Sequence, residues 1–370
     1  MTTHEPVPRL QLSSPGDVAQ LVPYLIGFVP QESLVLLVTR QGRVEVTARA
    51  DLADVQPNGQ AEHLIDRIWG RFPDADAFMV AYTDQPAQGW GVLRRCRQHL
   101  PAGADGQCML VAGDTWHTEG GAAGMVDRFG RIAAQATYAG MAASRSRADL
   151  EARFASPADS VELDRAVAAA SGRLPAVTDT ARIVERTLDL IGQYRRDDNN
   201  AAPPNAAGRI PAEDAAHLAL LGLTSAGRDT ALLSITPTDA ASHLELWRAV
   251  VNAVPASYAE AATYLAGMAA WMTGDGAVAC VALSRSLEIA DRTAAEPLAG
   301  LLDRLIDQVV PPTAWEQVRE QALTLTEPEV RRAIQQPAVP TLSWENVPPP
   351  VPKPTRQRPG EAPPSPGIGI

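Results

Sequence analysis

The chain is poor in the residues that build cross-links and metal centres. Its 370 residues include three cysteines, Cys96, Cys108 and Cys280, odd in number and far apart. That excludes a disulfide framework and points to a reducing compartment. The six histidines, His4, His63, His99, His117, His217 and His243, include no pair at metal-ligand spacing, and neither HExxH nor CxxC occurs. No metal site of the familiar zinc kinds is expected. A GxxxxGK(S/T) phosphate loop and a GxSxG nucleophile elbow are missing too. Gly120-Gly121-Ala122-Ala123-Gly124 is glycine-rich but lacks the GxGxxG pattern of dinucleotide sites. No cofactor is therefore expected. Positive charge is also scarce: 32 Lys and Arg face 43 Asp and Glu, a formal net charge of −11, with no basic cluster. Phosphate contacts need clustered cations, so nucleic acid and anionic membrane surfaces are poor partners. No apolar run approaches a membrane span, and the opening residues MTTHEPVPRLQ lack a signal-peptide core. The expectation is a soluble cytoplasmic protein.

Apolar residues are plentiful, at 45% of the chain, and the length suits roughly two domains. The strongest local signals lie between Arg9 and Leu52. Leu10 and Leu12 suggest a short strand. Ser14-Pro15-Gly16-Asp17 then reads as a helix start, with Ser14 as cap, Pro15 at the first helical position and Asp17 returning a bond to the cap backbone. Val18, Leu21, Val22 and Leu25 follow helical spacing, and Gly27 and Pro30 end the helix. The unbroken run Leu34–Val38 reads as a strand buried on both faces. Gln41-Gly42 turns the chain into a strand where Val44, Val46 and Ala48 alternate with Glu45, Thr47 and Arg49.

A strongly amphipathic helix follows through Ala61, Leu64, Ile65, Ile68, Trp69 and Phe72, ended by Pro73-Asp74. Strands at Ala77–Tyr82 and Cys108–Ala112 flank a weaker helix carrying Trp90, Leu93, Cys96 and Leu100. The predicted class is an α/β N-terminal domain, a mixed sheet flanked by helices, followed by a mostly α-helical region. The division expected is 1–115 for the α/β domain, 116–193 for helices packing on it, and 194–211 for a linker or long loop. An all-helical region then spans 212–336, with a disordered Pro-rich tail over 337–370. Helices are expected from Ile132 to Met141, after a capping box at Ser146, around Val161–Ala170 and around Ala181–Ile191. Leu265, Met268, Ala269 and Met272 should face Ala279, Leu283, Leu287 and Ala290 across the turn Gly274-Asp275-Gly276. That hairpin resembles half of a tetratricopeptide unit, but no second copy recurs at a fixed period. Leu298, Leu301, Leu302, Leu305 and Val309 form a third stripe. Thr313 and Thr326 are expected to cap two last helices.

One polar cluster invites chemistry. Asp114, Trp116, His117 and Glu119 follow the strand ending at Ala112, and ligands bind at the carboxyl ends of strands in open α/β sheets. A histidine between two carboxylates could act as a general base or join a metal site. An ordinary polar loop, with Trp116 packed on a helix, explains the same residues. Ser13-Ser14 could cradle an anion, although helix capping accounts for both. The spaced prolines Pro349–Pro354 could dock in an aromatic groove.

Taken together, several motifs resemble the domain-of-unknown-function family numbered 4192, met mainly in actinobacteria and their phages. They are Leu12-Ser13-Ser14-Pro15-Gly16-Asp17, Val22-Pro23-Tyr24-Leu25-Ile26-Gly27-Phe28, Ser33-Leu34-Val35, Ala136-Thr137-Tyr138-Ala139-Gly140 and Ser146-Arg147. Arg228-Asp229, Leu246-Trp247-Arg248, the hairpin from Trp271 to Leu287 and Trp315 extend the likeness over most of residues 10–320. The resemblance implies no assigned activity. Relatives often carry His where this chain has Val29, and many carry a cysteine cluster where it has His117-Thr118-Glu119-Gly120-Gly121. If that cluster binds metal, this member has lost the ligands. Two functions are therefore expected in competition. The first is a non-enzymatic binding or accessory protein, meeting a protein partner through the helical region or the Pro-rich tail. The second is a small-ligand binder or enzyme with its site at the strand ends near Asp114–Glu119.

Overall fold

The computed structural model describes residues 12–56, 59–139, 141–158, 160–194, 210–293 and 298–335. Its centre is a six-stranded mixed sheet in the order β2-β1-β3-β4-β5-β6. The strands are β1 (Ser33–Arg40), β2 (Arg43–Asp51), β3 (Asp76–Tyr82), β4 (Gly106–Ala112), β5 (Thr115–Thr118) and β6 (Ala123–Met125). Only β3 and β4 pair in parallel; every other pairing is antiparallel. Gln41 and Gly42 both take left-handed backbone angles, φ 52° and 73°, as the two-residue hairpin between β1 and β2 requires. The parallel pair needs a crossover, and α4 (Pro86–His99) supplies it.

Alternation divides the strand residues between two cores. Leu34, Leu36, Val38, Met79, Ala81, Cys108 and Leu110 face α3 (Gln60–Arg71) and α4. Val35, Leu37, Val80, Tyr82, Met109 and Val111 face the other way, toward α1 (Pro15–Leu25). This second core does not stop at the sheet. It continues through Leu150 and Phe154 into the helices of the C-terminal half, as far as Trp315 and Val330.

Within that half, α12 (Glu260–Met272) is buried along its whole length. Its Glu260 carboxylate accepts the Leu298 N–H at 2.9 Å, and its Thr263 hydroxyl donates to the Ala259 carbonyl at 2.8 Å, so burial leaves neither polar group idle. α13 (Gly276–Thr293) folds back on it after Gly274, φ 81°, and Asp275 accepts the Val278 N–H at 3.0 Å. Trp315, fully buried, donates its indole N–H to the Ile235 carbonyl at 2.9 Å and meets Trp271 edge to face.

Several details depart from the sequence expectations. Leu12 carries no strand, and Leu10 lies outside the described residues. Asp17 returns its bond to Ser13, accepting from its N–H and hydroxyl at 2.7 and 2.8 Å, while Ser14 Oγ caps the helix as expected. Two short strands, β5 and β6, follow Ala112, so the sheet runs on to Met125. The helix expected to reach Met141 ends at Tyr138. Leu287 is 38% exposed instead of facing α12. A single 3-10 turn over Pro312–Ala314 leads into α15 (Trp315–Leu325), so Thr313 provides no side-chain cap. Of the expected linker only Tyr194, Ile210 and Pro211 are among the described residues, and the expected tail lies outside them.

Two glycines should respond in opposite directions to alanine. A Cβ at Gly227 would stand 2.2 Å from the Leu221 carbonyl oxygen, a backbone atom that cannot yield. Gly227→Ala should cost about 1–3 kcal/mol. Gly91, inside α4, has open space around its Cβ position, so Gly91→Ala should gain about 0.5–1 kcal/mol from helix propensity. Equilibrium urea unfolding of both variants checks the signs.

His217, buried on α9 (Ala212–Gly222), supplies a pH prediction. Its Nε2 has no hydrogen-bond partner among the described residues. Burial, reinforced by Arg186 and Arg173 against the pull of Asp214 and Glu213, holds its pKa below the ordinary histidine value. The unfolded chain therefore takes up this proton first. Stability from neutral His217 is complete above about pH 6.5 and is lost as pH falls from there toward the folded pKa. The melting temperature of His217→Leu should fall less than that of the parent between about pH 7.5 and 5.5, as differential scanning calorimetry would record.

Candidate functional site

A cavity of about 820 Å³ opens at the carboxyl ends of the parallel strands β3 and β4. Six stretches of chain wall it in. α1 contributes Ala19, Gln20, Pro23 and Tyr24, and the loop entering β1 contributes Val29 to Glu32. Tyr82, Thr83 and Asp84 come from the end of β3, with Val111 and Gly113 from the end of β4. Val126, Arg128 and Phe129 follow β6, and Ala143, Ser144 and Arg145 close the ring.

Local chemistry explains why these stretches meet. Gly27, φ 76°, ends the helical path and redirects the chain. The freed backbone then pairs with the segment around Ser144: Val29 N–H donates to the Ser144 carbonyl at 3.0 Å, and Ser144 N–H to the Gly27 carbonyl at 2.7 Å. Arg49 on β2 stacks its guanidinium over Phe28 and donates to Ser33 Oγ, bracing the entry to β1. Glu32 sits at φ 42°, a left-handed angle unfavourable for a residue with a Cβ. Its carboxylate accepts from the Thr83 hydroxyl at 2.9 Å and the Asp84 N–H at 3.3 Å, fastening the start of β1 to the end of β3. Such strain persists only where surrounding bonds enforce it, and it concentrates at functional sites.

Three residues of the cavity wall bury a polar atom that has no hydrogen-bond partner among the described residues: Gln20 its Oε1, Tyr82 its hydroxyl and Ser144 its Oγ. Tyr82 and Ser144 are 7% and 6% exposed. Buried hydroxyls left unpaired each cost about 1–3 kcal/mol. Burial also raises the Tyr82 pKa above the ordinary phenol value, only partly offset by Arg128 nearby, so the group remains a neutral O–H. Arg128 is anchored by Asp114, whose carboxylate accepts from Nε at 2.9 Å and Nη2 at 2.7 Å. Arg145 is exposed and forms no ion pair among the described residues.

The sequence-selected cluster is dispersed by this geometry. Asp114 stands in the β4–β5 turn beside the cavity and holds Arg128. Trp116 and His117 are neighbours on β5, so they point to opposite faces. Trp116 lies against Gly16 in the first turn of α1, as expected for packing on a helix. His117 opposes Leu110, on the α4 side of the sheet, and is exposed. Glu119 pairs with Arg97 of α4. Ser13 and Ser14 are spent on the Asp17 and capping bonds. Among the described residues no three His, Cys, Asp or Glu side chains form a group that could hold a metal. The strand-end rule points to the end of the sheet where this cavity lies, but no motif singles out Gln20, Tyr82, Ser144 or Arg145.

A family model described as "Domain of unknown function (DUF4192)" matches residues 15–313, a span that contains every wall of the cavity. No curated protein and no solved structure matches the chain.

The unpaired Tyr82 hydroxyl yields a stability prediction. Tyr82→Phe removes a buried polar group while keeping the ring in the core, so the unliganded protein should gain about 1 kcal/mol or more. Chemical denaturation checks this; a loss of that size would mean the hydroxyl is satisfied.

Proposed function

The chain belongs to the DUF4192 family, and we propose its role from the site alone: it is a binding protein that takes a small ligand at the carboxyl ends of β3 and β4. The observation that carries this reading is one cavity at the strand ends whose lining includes three residues, Gln20, Tyr82 and Ser144, that each bury a polar atom without a partner among the described residues. Its volume lies within the range of about 300–1,000 Å³ common to small-molecule sites, and its walls mix apolar side chains such as Val29, Val111 and Val126 with polar and charged ones. Binding is favoured over nucleophilic catalysis by the surroundings of Ser144. An activated serine needs a base in hydrogen-bond reach, and Ser144 Oγ meets none among the described residues. No helix among the described residues is long and apolar enough to cross a membrane. A cytoplasmic setting suits Cys96 and Cys108, both buried as free thiols.

The test is a fragment screen by ligand-observed NMR on the full chain, repeated on Val29→Trp. Val29 lines the cavity and is half-buried, so an indole there fills the space. Hits should bind the parent, fail with Val29→Trp and persist with His117→Ala, which lies across the sheet. Hits retained at full strength by Val29→Trp would overturn the reading.

A further inference from the structure

Resting on the ligand-binding reading of the strand-end cavity, we propose that its ligand is an aromatic oxyanion: a flat ring carrying one anionic group, either a carboxylate or a phosphate monoester. The oxyanion follows from the donors. Tyr82 and Ser144 line the cavity, and each keeps a buried O–H without a partner among the described residues. Two guanidiniums line the same cavity. Arg128 is fixed in place by Asp114, whereas Arg145 forms no ion pair among the described residues. A planar guanidinium beside hydroxyl donors matches an oxyanion, through charge-assisted and bidentate bonds.

The remaining charges limit the ligand's own. Glu32 and Asp84 also line the cavity, so its formal charge is balanced. Glu32 is already engaged by Thr83 and the Asp84 N–H. A polyphosphate would bring several negative charges against two carboxylates, whereas one anionic group can be met by Arg145 without that repulsion. The ring follows from Phe129. This phenylalanine belongs to the cavity lining yet is 95% exposed, and a flat ring stacked upon it would remove one face of each ring from water. Gln20 Oε1, an acceptor with no partner among the described residues, would take an N–H or O–H donor on that ring.

The experiment compares matched probes by isothermal titration calorimetry. Indole-3-acetate and adenosine 5′-monophosphate carry ring and oxyanion. Indole-3-acetamide and adenosine carry the ring alone; acetate and inorganic phosphate carry the oxyanion alone. At least one of the two full probes should bind about tenfold or more tightly than both of its halves. Arg145→Gln should remove that margin, Phe129→Ala should weaken the full probe and the ring alone alike, and His117→Ala should change neither. Which full probe wins separates carboxylate from phosphate. If the uncharged rings bind as well as the anions, and Val29→Trp blocks them, the anionic class is wrong while the cavity remains a ligand site. If no probe and no fragment is sensitive to Val29→Trp, both readings fall. Unliganded melting curves for each variant separate lost binding from lost folding.

Discussion

Three strands buried on both faces set the terms for everything else in this chain. β1, β3 and β4 carry apolar side chains above and below the sheet, and neither set can be left in water. α3 and α4 cover one face. On the other, α1 lies alongside side chains that also join the C-terminal helices in one core, through Leu150 and Phe154. The helical half therefore belongs to the same apolar body as the sheet. A contact from the far side agrees: Arg67 of α3 donates to the Asp307 carboxylate at 2.5 Å, and Val309 packs against the α3–α4 core.

The cavity lies where this covering is incomplete. At the carboxyl ends of β3 and β4, α1 has reached Leu25 and the chain leaves the sheet at Gly27. The gap is bridged by backbone pairing between the Phe28 region and Ser144, and by the Glu32 carboxylate on Thr83. Those bonds hold the rim in place while leaving the floor unfilled. Glu32 keeps an unfavourable φ, and Tyr82 and Ser144 keep unpaired hydroxyls. Each costs stability, and a core built for stability alone would replace Tyr82 by phenylalanine.

What could be read from sequence divides along a physical line. The β1 run, the Ser14 cap, the Gln41-Gly42 turn and the amphipathic face of α3 depend on neighbours a few residues apart, and all four appear in place. β5 and β6 escaped because strands of four and three residues at a sheet edge carry no periodic signal. Leu287 was misassigned because helical spacing marks a face without showing which neighbour covers it. The cavity was half legible. The strand-end rule pointed to the residues after Ala112, and Gly113 and Asp114 do stand at the cavity or hold one of its arginines. His117 on β5 faces the α4 side of the sheet, and Glu119, in the turn after β5, pairs with Arg97 of α4.

Gln20, Tyr82, Ser144 and Arg145 escaped for a deeper reason. Each lies in a segment whose local pattern is fully explained by something else. Gln20 is a polar position on an amphipathic helix, Tyr82 ends a buried strand, and Ser144-Arg145 precede a capped turn. Only the tertiary fold shows that these residues line one space, and that Gln20, Tyr82 and Ser144 bury polar atoms with no partner among the described residues. Sites built on spaced motifs hold their ligand through one local turn of chain. A candidate site assembled from six separated stretches leaves no such trace, and its mark is an energetic one: polar atoms that folding has buried without satisfying.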